Sequence, residues 1–285
     1  MGRRWRIAGA VGRGAVAGLV CAGTGFLCVP LHAEDAKTVV QLAVRAELYA
    51  DQNDHSHWRY LESEDGGTKY IVVETQYGAL KRHVEEDGRP ASAATLREED
   101  EHNERFAHDT ALEEKQREGA AHDDRDATAL LNEMPEAFVW KIESEGPETI
   151  TLSYKPNESY RPPDMESRVM SRMAGTMVVS KPAHRIQTFK GTLTEDISIG
   201  WGLLAKIKQG GTFDVERRQV GPGFWVITET HVHISGRALF FKTIGQQQDE
   251  VKTEFSQVPD GTTLDQALRM LTAGASGTRM GCCAR

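Results

Sequence analysis

Cysteine is missing where a folded domain would lie. The four cysteines are Cys21, Cys28, Cys282 and Cys283, and the long span between the two pairs carries none. That excludes a disulfide framework, a cysteine zinc site and a cysteine nucleophile in that span. A basic surplus is missing too. Lys and Arg number 34 against 42 Asp and Glu, a formal charge of −8, which speaks against a nucleic-acid partner. Beyond the N-terminal stretch no apolar run is long enough to span a bilayer. There is no Gly-x-Ser-x-Gly elbow. Gly200-Trp201-Gly202 lies in a strand pattern without a helix after it, so it is not a phosphate-cradling loop. No cofactor is expected, and no catalytic residue.

What is there begins with a leader. Arg3, Arg4 and Arg6 precede a small-residue-rich apolar stretch from Ile7 to Val29, broken by Arg13, and then Pro30-Leu31-His32-Ala33. A basic start, an apolar middle and a small residue before a polar start form the export-signal pattern. Residues 1–33 are therefore read as a signal peptide cleaved after Ala33, with a single-pass anchor as the alternative. The product is expected to be periplasmic or secreted. Cleavage leaves 30 bases against 42 acids, a net charge of −12. Neither Cys21 nor Cys28 follows a small residue, which argues against lipid acylation. Cys282-Cys283-Ala284-Arg285 ends the chain like a prenylation tail, but Arg is a poor last residue and an exported chain does not meet that machinery.

Residues 34–272 are read as one β-rich domain in three compositional zones, followed by a disordered tail over 273–285. In the first zone Val39, Val40, Ala43 and Val44 fall at helical spacing and predict a helix from Lys37 to about Asp51. Three strands follow, His57–Ser63, Thr68–Thr75 and Tyr77–Glu85, the first ending at Gly66-Gly67 and the last at Asp87-Gly88, dipeptides that supply the positive φ of tight turns. The second zone, 93–134, is a charged excursion with few apolar residues. It predicts two polar helices broken near Gly119 and His122-Asp123-Asp124. The third zone runs from Pro135 to Pro259 as alternating segments. They predict strands at Phe138–Ile142, Ile150–Tyr154, Gly175–Ser180 and Arg185–Thr194. One long strand is predicted from Ile197 to Ile207, then strands at Phe213–Val215 and Phe224–Ile234. Separate strands are predicted at Ala238–Ile244 and Val251–Phe255. Thr262 or Thr263 can cap a final short helix.

The fold class expected is α+β, mainly β: a strongly curved antiparallel sheet or half-open barrel, with helices on the concave side and the polar helical excursion. An N-terminal helix, hairpins, a helical excursion and a long antiparallel meander resemble the periplasmic lipoprotein-carrier superfamily, the LolA/LolB-like outer-membrane lipoprotein-sorting proteins. The stretch from Gly175-Thr176 through Phe189-Lys190-Gly191-Thr192-Leu193 to Gly236-Arg237-Ala238-Leu239-Phe240-Phe241-Lys242-Thr243 also resembles a set of uncharacterised secreted bacterial proteins. The resemblance implies a half-open barrel with a helical lid and an apolar cavity for acyl chains. It carries over no individual site residue.

From the residues themselves, Trp140, Trp201, Leu203, Phe213, Phe224, Met173 and Met177 are candidates to line an apolar cavity; plain core is the competing assignment. Met165, Met170, Met173 and Met177 suit a soft wall or a short helix packed on a sheet. His231-Val232-His233 with Glu229 places metal-ligand types on one side of a strand, but that side is opposite the apolar one and faces water. His55-Ser56-His57 and His122-Asp123-Asp124 are weaker versions, and no metal is expected. The functional expectation is a non-enzymatic carrier holding a lipid, an acylated peptide or another apolar ligand. The alternative is an interaction or scaffold module of the cell envelope that binds a protein partner through the charged excursion.

Overall fold

The computed structural model describes residues 35–199, 205–238 and 243–275. The signal-peptide expectation for 1–33, the candidates Trp201 and Leu203, and the tail beyond 275 lie outside these residues. The described residues fall in one compact unit, and no described helix is long and apolar enough to cross a membrane.

Helix α1 (Ala36–Asn53) buries Val39, Val40, Ala43, Val44 and Glu47 on one face, the i, i+4 stripe read from the sequence. Strands β1 (His57–Glu64), β2 (Thr68–Thr75) and β3 (Gly78–Glu86) follow as hairpins, and β4 (Arg89–Pro90) is a two-residue edge. The excursion is helical, but its break falls elsewhere. Helices α2 (Ala93–His108) and α3 (Thr110–Ala137) meet at Asp109, and Gly119 and His122 lie inside α3. The reason is capping. The Ser92 hydroxyl accepts from the Thr95 N–H at 3.1 Å to start α2. Asp109 Oδ1 accepts from the Ala111 and Leu112 N–H groups at 2.9 and 3.3 Å to start α3. A cap contributes about 1 kcal/mol, which offsets the cost of about 1 kcal/mol for one interior glycine.

The remaining elements are β5 (Phe138–Glu145), β6 (Thr149–Pro156), α4 (Met165–Met170), β7 (Met173–Ser180), β8 (Ile186–Leu193), β9 (Ile197–Ile199), β10 (Ala205–Ile207), β11 (Thr212–Gly221), β12 (Phe224–Ala238), β13 (Thr243–Val258) and α5 (Leu264–Ala275). Two corrections concern strand length. The two described ends of the Ile197–Ile207 run, β9 and β10, are short antiparallel strands paired with each other, with Ile197 opposite Ile207. Their shared parity reflects a hairpin's symmetry. The segments 238–244 and 251–255 are not separate strands. Ala238 ends β12, residues 243–244 and 251–255 belong to one sixteen-residue β13, and 239–242 lie outside the described residues; paired neighbours hold the polar run Gln246–Gln248 extended. Helix α5 also takes in residues 273–275, which were assigned to the tail. The Thr263 hydroxyl accepts from the Gln266 N–H, and the Gln266 side chain accepts from the Thr263 N–H. This reciprocal cap starts α5.

All described strands join one antiparallel sheet of thirteen. Eleven lie on the path β4-β3-β2-β1-β13-β12-β11-β8-β7-β6-β5, and β9 and β10 hang from β12. The path ends at β4 and β5, which do not pair, so the sheet is not closed into a barrel. Each end strand is poorly suited to further pairing. Strand β4 is two residues long and contains Pro90. Strand β5 has a register shift between Ile142 and Ser144.

Residues directly opposite in an antiparallel pair share a face. Leu152, Met177, Phe189, Val215, Thr230 and Glu250 are successive partners across six strands. Lys252, two residues beyond Glu250, pairs with Glu62, then Tyr70 and His83. This face carries α1 over its β5–β8 end, in a core of Val40, Ala43, Phe138, Leu152, Tyr154 and Met177 with the end of α3. Leu61, Ile71 and Val73 have the other parity. There Ile71, Val73, Leu80, Phe106, Ala267 and Leu271 form a second core with α2 and α5. The helices therefore lie on both faces rather than on the concave one alone, because β2 and β3 bury Ile71, Val73 and Leu80 on the face opposite to that of β6–β8, while Trp58, Tyr60 and Val72 form a smaller cluster on the shared face.

Candidate functional site

The structure distributes the cavity candidates. Met173 and Met177 are buried in the α1 core, and Trp140 and Phe213 pack against that core. Trp140 donates its indole N–H to the Met134 carbonyl at 3.2 Å. Phe213 stacks edge-on with Phe189, ring centres 4.8 Å apart. Phe224 is elsewhere, in a third cluster with Trp58, Tyr60, Val72 and Phe255, its ring 5.7 Å from that of Trp58. Four candidates thus share one apolar bed, and that bed is occupied by α1.

A glycine pair shapes this bed. Gly175 and Gly191 are direct partners on β7 and β8. The Tyr154 ring lies over them and donates its hydroxyl to the Lys190 carbonyl at 2.9 Å. A Cβ at Gly191 would meet the Tyr154 oxygen at 2.2 Å, and one at Gly175 would meet the Lys190 carbonyl oxygen at 1.9 Å. Burial pushes the Tyr154 phenol above its ordinary range, so it serves as a neutral donor.

The closure of α1 over the bed turns on one carboxylate. Glu47 is 2% exposed at its side chain and bonds the guanidinium of Arg185 at 2.9 Å and that of Arg217. It also accepts the Ile186 N–H at 2.7 Å. Three donors around one carboxylate satisfy a buried charge that would otherwise be costly. Arg185 Nε is buried without a partner, so this pocket is not fully satisfied.

On the same sheet face, chemistry changes from apolar to ionic along the row toward β3. Lys81 bonds Glu62 and, at 2.5 Å, Glu64. Lys252 reaches Glu250 at 2.9 Å and Glu62 at 4.0 Å. Each ammonium also lies over a ring: Lys81 over Tyr70 at 3.9 Å and Lys252 over Tyr60 at 5.1 Å. Burial raises the Glu62 carboxyl above its usual range. At Glu64 burial is outweighed by the hydrogen bond from Lys81, and the shift is downward. Burial also raises Glu74, which accepts the Trp58 N–H at 3.1 Å. Glu62, Glu64 and Glu250 bring carboxylate oxygens within 4.8 Å of one another, a spacing that could hold a metal ion. The two lysines already engage those oxygens, and the group is an internal ion network.

The histidine pair is organised by a carboxylate. His231 Nδ1 and His233 Nε2 lie 2.6 and 2.9 Å from the two oxygens of Asp249. The bond to Asp249 raises the His231 imidazole, and the two imidazoles lower Asp249. The expected water-facing side is observed, with both histidines partly exposed.

Open space lies under α3. A cleft of about 800 Å³ is lined by Asp51 at the end of α1 and Asp54 just after it, by Asp124 of α3, and by His57, Phe224 and Asp260. A second cleft of about 300 Å³ shares Asp51, Asp54 and Asp124 and reaches Arg217, Trp225 and Ile227. Both are more polar than the apolar hollow expected from the sequence.

Comparison with protein-family models, curated proteins and solved structures found no match for this chain.

Sequence reasoning missed Glu47 and the Glu62 row. The partners of Glu47 are 138 and 170 residues away, beyond any local pattern. A signal existed nonetheless. Glu47 continues the buried stripe of α1, and Glu62 continues the parity of Trp58 and Tyr60 on β1. An acid on an apolar face needs a partner.

Proposed function

We propose that this is an exported, non-catalytic carrier-type protein. Its sheet curves into a half-open barrel, and the apolar bed beneath α1 takes an acyl or lipid-like chain when α1 moves aside. One observation carries the reading: α1 covers the bed with mostly small side chains, one buried ionic clamp and one exposed Lys37–Glu136 pair, without strand pairing to hold it there. Val39, Val40, Ala43 and Val44 together contribute about 5–8 kcal/mol of burial, and the clamp adds about 3–5 kcal/mol on breaking. A chain of about 14 methylenes returns about 11 kcal/mol at about 0.8 kcal/mol per CH₂. Cost and gain are of the same size, so the clamp sets whether the bed fills. The resemblance to the lipoprotein-carrier superfamily supports the same reading. A fluorescent fatty acid is the test. The native chain takes it up with saturable enhancement, and Glu47→Gln takes it up more tightly. No uptake by either folded protein removes the carrier reading.

A second reading, an interaction module of the cell envelope, is favoured by α3 itself. From Thr110 to Ala127 every residue is exposed except the half-buried Glu113. Deleting residues 96–131 should abolish capture of a protein partner and leave the β circular-dichroism signal intact.

A further inference from the structure

We propose that His231, His233 and Asp249 form a binding site for a divalent transition-metal ion of the Zn²⁺ type, on the sheet face opposite α1. The site is separate from the apolar bed and independent of what that bed carries.

The sequence supplies two ligands and the fold supplies the third. Positions i and i+2 of a strand share a face, which sets both imidazoles on one side of β12. Asp249 is the direct partner of His231 on β13, in a register that runs unbroken from Glu229 to Arg237. Its two oxygens lie 2.6 Å from His231 Nδ1 and 2.9 Å from His233 Nε2. Two imidazoles and one carboxylate are a donor set that suits a borderline divalent ion.

What competes for the donors separates this trio from Glu62, Glu64 and Glu250. There an incoming cation must displace two lysine ammonium groups. Among the described residues no lysine or arginine bonds Asp249, His231 or His233. The surroundings add negative charge. Asp214 is the direct partner of His231 on β11. Lys190 reaches its Oδ2 at 2.8 Å, but its Oδ1 is buried without a partner. Glu229 Oε2 lies 3.9 Å from His231 Nε2. An unpartnered buried carboxylate oxygen costs free energy, and a dication beside it offsets that cost. In the structure each imidazole bonds its own oxygen of Asp249, so an ion must draw both rings to one centre. Their side-chain exposures, 35% and 43%, leave them room to turn. Three protein ligands keep a coordination position open. A shallow cleft of about 360 Å³, lined by Thr176, Lys190, Thr192, Thr212, Asp214 and His231, adjoins the trio and has space for a water or a small ligand there.

The test is a Zn²⁺ titration of the full chain with its cysteines alkylated, followed by calorimetry and by the NMR resonances of the imidazoles. The expected result is one ion per chain, with the His231 and His233 resonances moving together and Ca²⁺ and Mg²⁺ failing to compete. His231→Ala, His233→Ala and Asp249→Asn should each weaken uptake by about tenfold or more, while His122→Ala, on α3, leaves it unchanged. Zn²⁺ should also raise the Tm of the native chain as free ion increases, and should not raise that of His231→Ala/His233→Ala. Uptake that persists in this double variant puts the ion on other side chains and overturns the proposal. Movement of only one of the two resonances overturns it too, and so does Ca²⁺ bound as tightly as Zn²⁺, which would mean general attraction to the acidic surroundings. Circular dichroism checks that the variants are folded, and the resonance readout on the native chain decides the matter even where a variant is not.

Discussion

Replacing Glu47 by alanine isolates the clamp on α1. The substitution removes the shared acceptor of Arg185, Arg217 and the Ile186 N–H. Breaking a buried ion pair by deleting one partner costs about 3–5 kcal/mol, because the remaining charge is left uncompensated. Arg185 is 12% exposed at its side chain and Arg217 26%. Solvent therefore relieves Arg217 in part, and the lower end, about 3 kcal/mol, is expected. In a unit of this size each kcal/mol moves Tm by about 2–4 °C, so thermal unfolding followed by circular dichroism should shift down by about 6–12 °C. The same reasoning makes a second, less intuitive demand. Glu47→Met/Arg185→Met/Arg217→Met removes the charges together and fills the volume with flexible apolar side chains, so its Tm should return to within a few degrees of the native value. A Glu47→Ala shift below about 3 °C would refute the clamp. A triple variant less stable than Glu47→Ala would refute the orphaned-charge explanation of its cost.

Two glycines should respond to alanine with opposite sign. Gly175→Ala sets a methyl against rigid backbone at Lys190 and Gly191 and should cost about 3 kcal/mol or more by chemical denaturation, whereas Gly119→Ala meets nothing within 4 Å and should gain about 1 kcal/mol in an exposed helix interior. NMR titration of the imidazoles should place His231 above the ordinary value of 6.5. A raised histidine value means its stabilisation is full below 6.5 and fades as pH climbs through the folded value. The lowered Asp249 means the pair's other half fades as pH falls from 3.8. Hydrogen-exchange protection in β12 and β13, corrected for the intrinsic pH dependence of amide exchange, should therefore be highest in the mildly acidic window between, and a flat protection profile would remove the pair from the account.

Much of the fold was legible because its cause is local. The α1 stripe, the β1–β3 hairpins with their glycine turns and the Thr263 cap are decided by neighbours within a few residues. The break at Asp109 was legible in principle, since an Asp followed by a helical run is a cap signal, but by propensity alone Gly119 is the stronger breaker. What stayed hidden was set by distant partners. Ile197–Ile207 alternates like one strand although its ends pair with each other, and Gln246–Gln248 looks like a loop until β12 lies beside it. Of the candidate site, Trp140, Phe213, Met173 and Met177 do converge on one apolar bed. Its occupant, α1, and the carboxylate that fixes it were beyond reach, because the two arginines come from β11 and from the turn before β8.

The two outermost strands have a consequence for life in a crowded compartment. A wide sheet grows laterally if its borders accept another chain. Here one border stops at a proline, and the other is kinked and studded with Lys141, Glu143 and Glu145. Copies meeting side by side at either of these two borders find no continuous ladder to zip, which works against lateral growth of the layer there.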